Sequence, residues 1–364
     1  MQQDTGRIDY LDVMRAVLMM LGIVLHAGQL YNPQQSWLLH APESSSLFTY
    51  LISIISTFRM PAFLVVSGFF CAMFILRYGN AVFFRSRTKR LLIPLLISAI
   101  TLNVFQAYLL QHFGWISESV PNYLISGGWV QHLWFLIDLF IFILLLCLGY
   151  SVAPLRRLCI KINTLAVNSL PLPVFIALIS LYPGGLILLK VLGVPMYDSW
   201  LGITDLYELL SYLPFFLFGL TLYSSPKWLN QFSNIKLIYA VVALALIATT
   251  HYFINQGTGM LWQSVSLYSR ALLCWLSVAL CFSLFNYLVK RGSRFWRFLS
   301  EASYSVYLFH HLIVVLLGLW LINYNIAPII GFSLIVTLTM LVTLLIHKYV
   351  IAPNSLLRLM FNGK

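Results

Sequence analysis

Runs of about twenty apolar residues recur along the whole of this 364-residue chain, and no other feature constrains its fold as tightly. A helix rises about 1.5 Å per residue, so a run of that length crosses a hydrocarbon core of ~30 Å. Only 9% of the residues are charged and 60% are hydrophobic, against about 25% charged in an ordinary soluble domain. A spanning backbone must satisfy its own hydrogen bonds, and the period-2 alternation of a membrane barrel is missing, which leaves helices. The expected fold is an all-α integral membrane bundle, one domain over residues 1–364, with about ten spans. They fall near 9–30, 47–75, 92–111, 131–152, 172–191, 207–224, 237–255, 267–289, 301–322 and 327–350. The second is long enough to tilt or to break near Pro61 or Gly68.

Basic residues set the orientation. Arg7, the cluster Arg77, Arg85, Arg87, Lys89 and Arg90, and the groups around Arg156, Lys227, Lys290 and Lys348 all fall in the N-terminus or in alternate connections. They account for 18 of the 22 Lys and Arg residues, and the opposite connections hold none. The positive-inside rule then places both termini in the cytoplasm. The net charge of +12 is thereby an orientation signal, and no basic, aromatic-interleaved soluble module is present to suggest a nucleic-acid partner. Asp4, Arg7, Asp9 and Asp12 mix signs ahead of an apolar stretch longer than a signal core, so the first run is expected to remain as a span. The five cysteines show no CxxC or Cys/His spacing, and neither a disulfide nor a metal site is expected.

Within the first span, Arg15 and His26 stand eleven residues apart, which is three helical turns to within about 20° and roughly 16 Å of axial rise. Both therefore share one face, at a depth where titratable groups normally line a cavity or meet a partner. Asp12, three residues before Arg15, can pair with it. Arg59 is a second deep cation, open to a buried acid such as Asp138 or to a ligand, whereas Lys190 and Arg270 lie near span ends and can snorkel. Arg87 and Arg90 are three apart on one face, and taken alone they read as a topology anchor. His310 and His311 point about 100° apart, which favours His310 for a channel lining and leaves His311 as its substitute. Ser67 and Gly68 form a small pair suited to close helix approach.

In chain order, LDVMRAVLMMLGIVLH carries Arg-x10-His, FRMPAFLVVSGFF follows, RTKRLLIP carries Arg-x-x-Arg, HLWFL opens the fourth span and YSVYLFHH lies in the ninth. As a set these segments resemble the membrane acyltransferase-3 family over nearly the whole chain. FRMPAFLVVSGFF, QHLWFLIDL, LPFFLFG and YLFHH are most similar to the bacterial proteins that succinylate osmoregulated periplasmic glucans. The resemblance implies a multi-pass enzyme of the bacterial inner membrane. It would move an acyl group from cytoplasmic acyl-CoA, succinyl-CoA or acetyl-CoA, to a hydroxyl of an extracytoplasmic glycan such as periplasmic glucan or lipopolysaccharide. It further implies catalytic roles for His26, Arg15 and Asp12, donor contacts from Arg87, Arg90, Arg59, His310 and Tyr304, and acceptor contacts from His132 and Trp134. A transporter or flippase of a lipid-linked glycan is the alternative, since it too needs polar residues in mid-membrane. Paired halves with matching interrupted helices, which a transporter often shows, are not visible.

Overall fold

A computed structural model describes residues 9–35, 37–199, 203–254, 256–324 and 326–364; Asp4 and Arg7 lie outside the described residues. The chain forms α1 (Asp9–Leu30), α2 (Ser46–Tyr78) and α3 (Asn80–Ser98), which runs through a π-helical stretch (Ala99–Asn103) into α4 (Val104–His112). Next come α5 (Val120–Tyr123), α6 (Trp134–Ser151), α7 (Ala153–Ser169), α8 (Leu172–Ile179), α9 (Tyr182–Val191), α10 (Leu206–Ser224) and α11 (Pro226–Ser233). The last elements are α12 (Leu237–Ile254), α13 (Met260–Leu288), α14 (Arg294–Leu321), α15 (Pro328–Ile346) and α16 (Ser355–Asn362). Among the described residues no strand is present, and nine helical stretches are long and apolar enough to cross a membrane. A shorter apolar helix, Ala240–Tyr252, stands where the seventh span was expected.

Three elements differ from the expected spans. The third begins at Asn80, so Arg87 and Arg90 lie within the helix and not ahead of it. Its start is tied to α6, where the Asn80 amide donates to the Cys147 carbonyl (3.0 Å) and to Ser151 Oγ (2.7 Å). The fifth span is two short helices, α8 and α9, the second opening with Pro183 in its first turn, where a missing N–H leaves no bond unmade. The connection before it is helical as well: α7 carries Arg156, Arg157 and Lys161 and buries none of its residues.

Helix α2 stays continuous past Pro61 and Gly68. Gly68 instead serves the crossing with α10: a Cβ there would stand 2.1 Å from the Phe216 carbonyl oxygen, and one on Gly219 would stand 2.1 Å from that of Val65. Each glycine thus lets the two backbones meet, as small residues do at membrane helix interfaces. Around this crossing, Phe63, Phe69, Phe142, Phe216 and Phe282 build one apolar core. Helix α1 packs against α14, α2, α13 and α15, which carries its polar side chains into the centre of the bundle.

Candidate active site

The two polar positions of α1 open into two cavities. The lower one, at the end of the bundle where α1 begins and α16 finishes, is lined by Arg15, Arg87, Arg90, Glu301, Tyr304 and Lys364 among others. The upper one is lined by His26, Gln29, Arg59, His132, Trp134, Tyr212, Tyr307 and His310. Met19, Phe63 and Phe135 line both and so stand between them. With their open mouths the cavities measure about 880 and 870 Å³.

In the lower cavity Arg15 Nη2 meets Asp12 Oδ1 at 3.2 Å, and the guanidinium lies 5.1 Å from the centre of the Phe70 ring. Asp12 itself lines neither cavity, so its visible contribution is to hold Arg15. Arg87 stacks over Phe74 (5.3 Å) and Phe83 (5.8 Å), and its buried Nε has no hydrogen-bond partner. The Tyr304 hydroxyl donates to the Arg90 carbonyl at 3.0 Å, which ties α14 to α3 beside the two arginines.

The upper cavity holds a cluster of imidazoles. The His26 ring lies 5.4 Å from His310 and 4.8 Å from His311, and His132 lies 5.3 Å from His310 and stacks on His311 at 4.8 Å. His310 and His311 point apart on α14, yet both reach His26. The way α1 beds against α14 brings both rings to His26. His310 lines the cavity, while His311 sits behind it, with Nδ1 2.8 Å from Gln106 Oε1.

Hydrogen bonds orient these rings. His310 Nδ1 lies 2.6 Å from the Tyr307 carbonyl; a carbonyl can only accept, so the proton is on Nδ1 and Nε2 keeps its lone pair. That Nε2 is buried and has no partner. His26 Nδ1 lies 2.8 Å from Gln29 Oε1, which by the same reasoning leaves His26 Nε2 as an acceptor. His132 has no hydrogen bond of good geometry at either ring nitrogen, and its carbonyl accepts from the Tyr307 hydroxyl at 2.6 Å. Trp37 stacks on His26 with ring centres 5.6 Å apart, and Trp134 stacks on Tyr212 at 5.8 Å.

Arg59 is the cation of this cavity. It forms no ion pair among the described residues, with Asp138 or any other acid, and its buried Nε lacks a hydrogen bond. A Cβ on Gly22 would stand 2.8 Å from Arg59 Nη1 and 3.0 Å from His310 Nε2. Gly22 lies one turn before His26, and its missing side chain is the space in which a guanidinium and an imidazole converge.

Sequence reasoning passed over Gln29, Gly22, Gln106, Tyr212 and Lys364. Gln29 was within reach, because i, i+3 neighbours on a helix meet. The others are assembled by tertiary packing and leave no local spacing.

The acyltransferase domain family matches residues 8–348. Glucans biosynthesis protein C of Salmonella gallinarum, of Salmonella paratyphi B and of Salmonella schwarzengrund are each 27% identical to this chain over 368 residues, covering 98% of it and 94% of their own length. No solved structure matches the chain.

Proposed function

The chain belongs to the acyltransferase-3 family and is a membrane acyltransferase, and from that premise we propose that it carries an acyl group from acyl-CoA at the cytoplasmic face to a hydroxyl of a periplasmic glucan. The observation that carries this reading is the pair of abutting cavities, one rich in cations and the other built around His26. Acyl-CoA is made in the cytoplasm and an envelope glycan lies outside, so the donor and acceptor must meet partway. Arg87 and Arg90 hold phosphates of the donor through forked, charge-assisted hydrogen bonds. The pantetheine arm passes between Met19, Phe63 and Phe135, and its length matches the roughly 16 Å of rise from Arg15 to His26.

At the upper cavity the glycan oxygen attacks the thioester carbonyl carbon while His26 Nε2 takes its proton. The carbon–sulfur bond then breaks, and the thiolate leaves with the proton held by His26. General base catalysis of this kind contributes roughly 10²- to 10⁴-fold in rate. Trp134 offers a flat face to the sugar, and His132 borders its path. Arg59, a deep cation with no ion pair among the described residues, supports an acyl group that brings its own carboxylate, succinyl in preference to acetyl. The name of the relatives supports a glucan acceptor. The distribution of Lys and Arg supports the bacterial inner membrane with both termini inside.

Purified protein in proteoliposomes, given glucan with either succinyl-CoA or acetyl-CoA, tests this. Succinyl ester on the glucan with stoichiometric free CoA is the expected product. Equal use of acetyl-CoA removes the role given to Arg59, and absence of any ester removes the reading.

A further inference from the structure

Helix α16 lies beyond the last expected span, and its end closes one side of the lower cavity. We propose that it supplies Lys364 as the fourth cation, with Arg15, Arg87 and Arg90, of an anion site for a phosphate-bearing group of the donor; in naming the donor this rests on the acyl-CoA reading above.

The segment is held too firmly to be an incidental tail. Asn354 Oδ1 caps α16 by accepting from the backbone N–H of Leu356 (2.9 Å) and Leu357 (3.1 Å). At its far end the buried Ser305 hydroxyl donates to Asn362 Oδ1 at 2.9 Å. That uses the only proton of the hydroxyl, so the ring nitrogen His347 Nδ1, 2.9 Å away, is the donor to Ser305 Oγ. Gly363 then turns the chain with φ +63°, and a Cβ there would stand 2.4 Å from Arg90 Cα and 2.8 Å from the Lys89 carbonyl oxygen. Both the positive φ and the close approach require glycine. The chain is thus keyed onto the backbone of α3 at Arg90 itself, and the next residue, Lys364, lines the cavity.

The charge balance points the same way. Four of the lining side chains are cations and one, Glu301, is an acid. Burial, with Arg90 and Arg15 beside it, pushes the Lys364 amine below its ordinary value against the opposing pull of Glu301. Arg15 has Asp12 as its partner, which leaves Arg87, Arg90 and Lys364 around the single lining acid Glu301, and that excess of cations suits an anion of more than one charge. A diphosphate meets that need, and Lys364 presents its charge as a point donor next to the planar forks of the arginines.

Binding measured by calorimetry on the full chain in zwitterionic nanodiscs decides the matter, with coenzyme A, pantetheine and inorganic pyrophosphate as probes. Lys364→Gln is expected to weaken coenzyme A and pyrophosphate about tenfold while leaving pantetheine unchanged, as fits the loss of one charge-assisted contact. Lys364→Arg should restore most of that loss. Gly363→Ala, which dislodges the segment, should reproduce the Lys364→Gln defect. Unaltered coenzyme A and pyrophosphate affinity in Lys364→Gln would overturn the proposal, as would a loss shared equally by pantetheine. If pyrophosphate binds and depends on Lys364 but coenzyme A does not bind, the anion site stands and the acyl-CoA reading falls. Binding of neither probe by the wild-type protein overturns both. Anionic lipid added to the nanodiscs should leave coenzyme A affinity unchanged; competition that abolishes it assigns the site to lipid headgroups and overturns the assignment to the donor.

Discussion

At the scale of single residues, His26 is the group on which the proposed chemistry turns, and its surroundings prepare it. Gln29 Oε1 accepts a hydrogen bond from His26 Nδ1–H at 2.8 Å, Trp37 covers one face, and Nε2 is left to accept. His26→Ala is expected to lower kcat by roughly 10²- to 10⁴-fold with donor affinity at the lower cavity unchanged. Steady-state rates with equilibrium binding of coenzyme A check this, and normal turnover would remove His26 as the base. Gly22→Ala is a subtler test. Its Cβ would intrude on Arg59 Nη1 and His310 Nε2, so kcat with succinyl-CoA should fall about tenfold, the size expected for misplacing one charged contact. The Arg15 to His26 spacing was legible because a helix converts sequence distance into face and height. The approach of His311 to His26, the lack of an ion pair for Arg59 among the described residues and the entry of Lys364 were not, because each depends on which helices become neighbours.

Among the elements, α2 lines both cavities and α10 the upper one, since α2 carries Arg59, Phe63 and Phe70 and α10 carries Tyr212. Their crossing at Gly68 and Gly219 has no room for a side chain. Gly219→Leu should destabilise the fold by about 1–3 kcal/mol or more, the usual cost of overpacking, and scanning calorimetry in detergent would register it as a lower Tm. An unchanged Tm would mean that this contact is looser than described. The apolar runs made nearly every span legible, and RTKRLLIP and FRMPAFLVVSGFF marked the helices that matter. The early start of α3 was hidden because its first turns are charged and do not read as membrane. The break between α8 and α9 was hidden because both halves are equally apolar.

For the whole molecule, Arg15 near the start of the chain and Lys364 just past α16 line one cavity, so the first and last helices share one end of the bundle. The cation clusters favour the cytoplasm for that end. Single cysteines introduced at Lys89 and at Arg358 in a cysteine-free variant should both react with an impermeant maleimide only after inner-membrane vesicles are inverted. Labelling of either one in intact spheroplasts would reverse the topology. In the proposed route the acyl group travels through the protein from the cation-lined cavity to His26. The most direct measurement uses proteoliposomes of uniform orientation, with succinyl-CoA confined to the side bearing the termini and glucan confined to the other, and mass spectrometry of the glucan as readout. Succinyl ester on the glucan and free CoA on the donor side are expected; ester formed only when donor and glucan share one compartment would overturn a route through the protein.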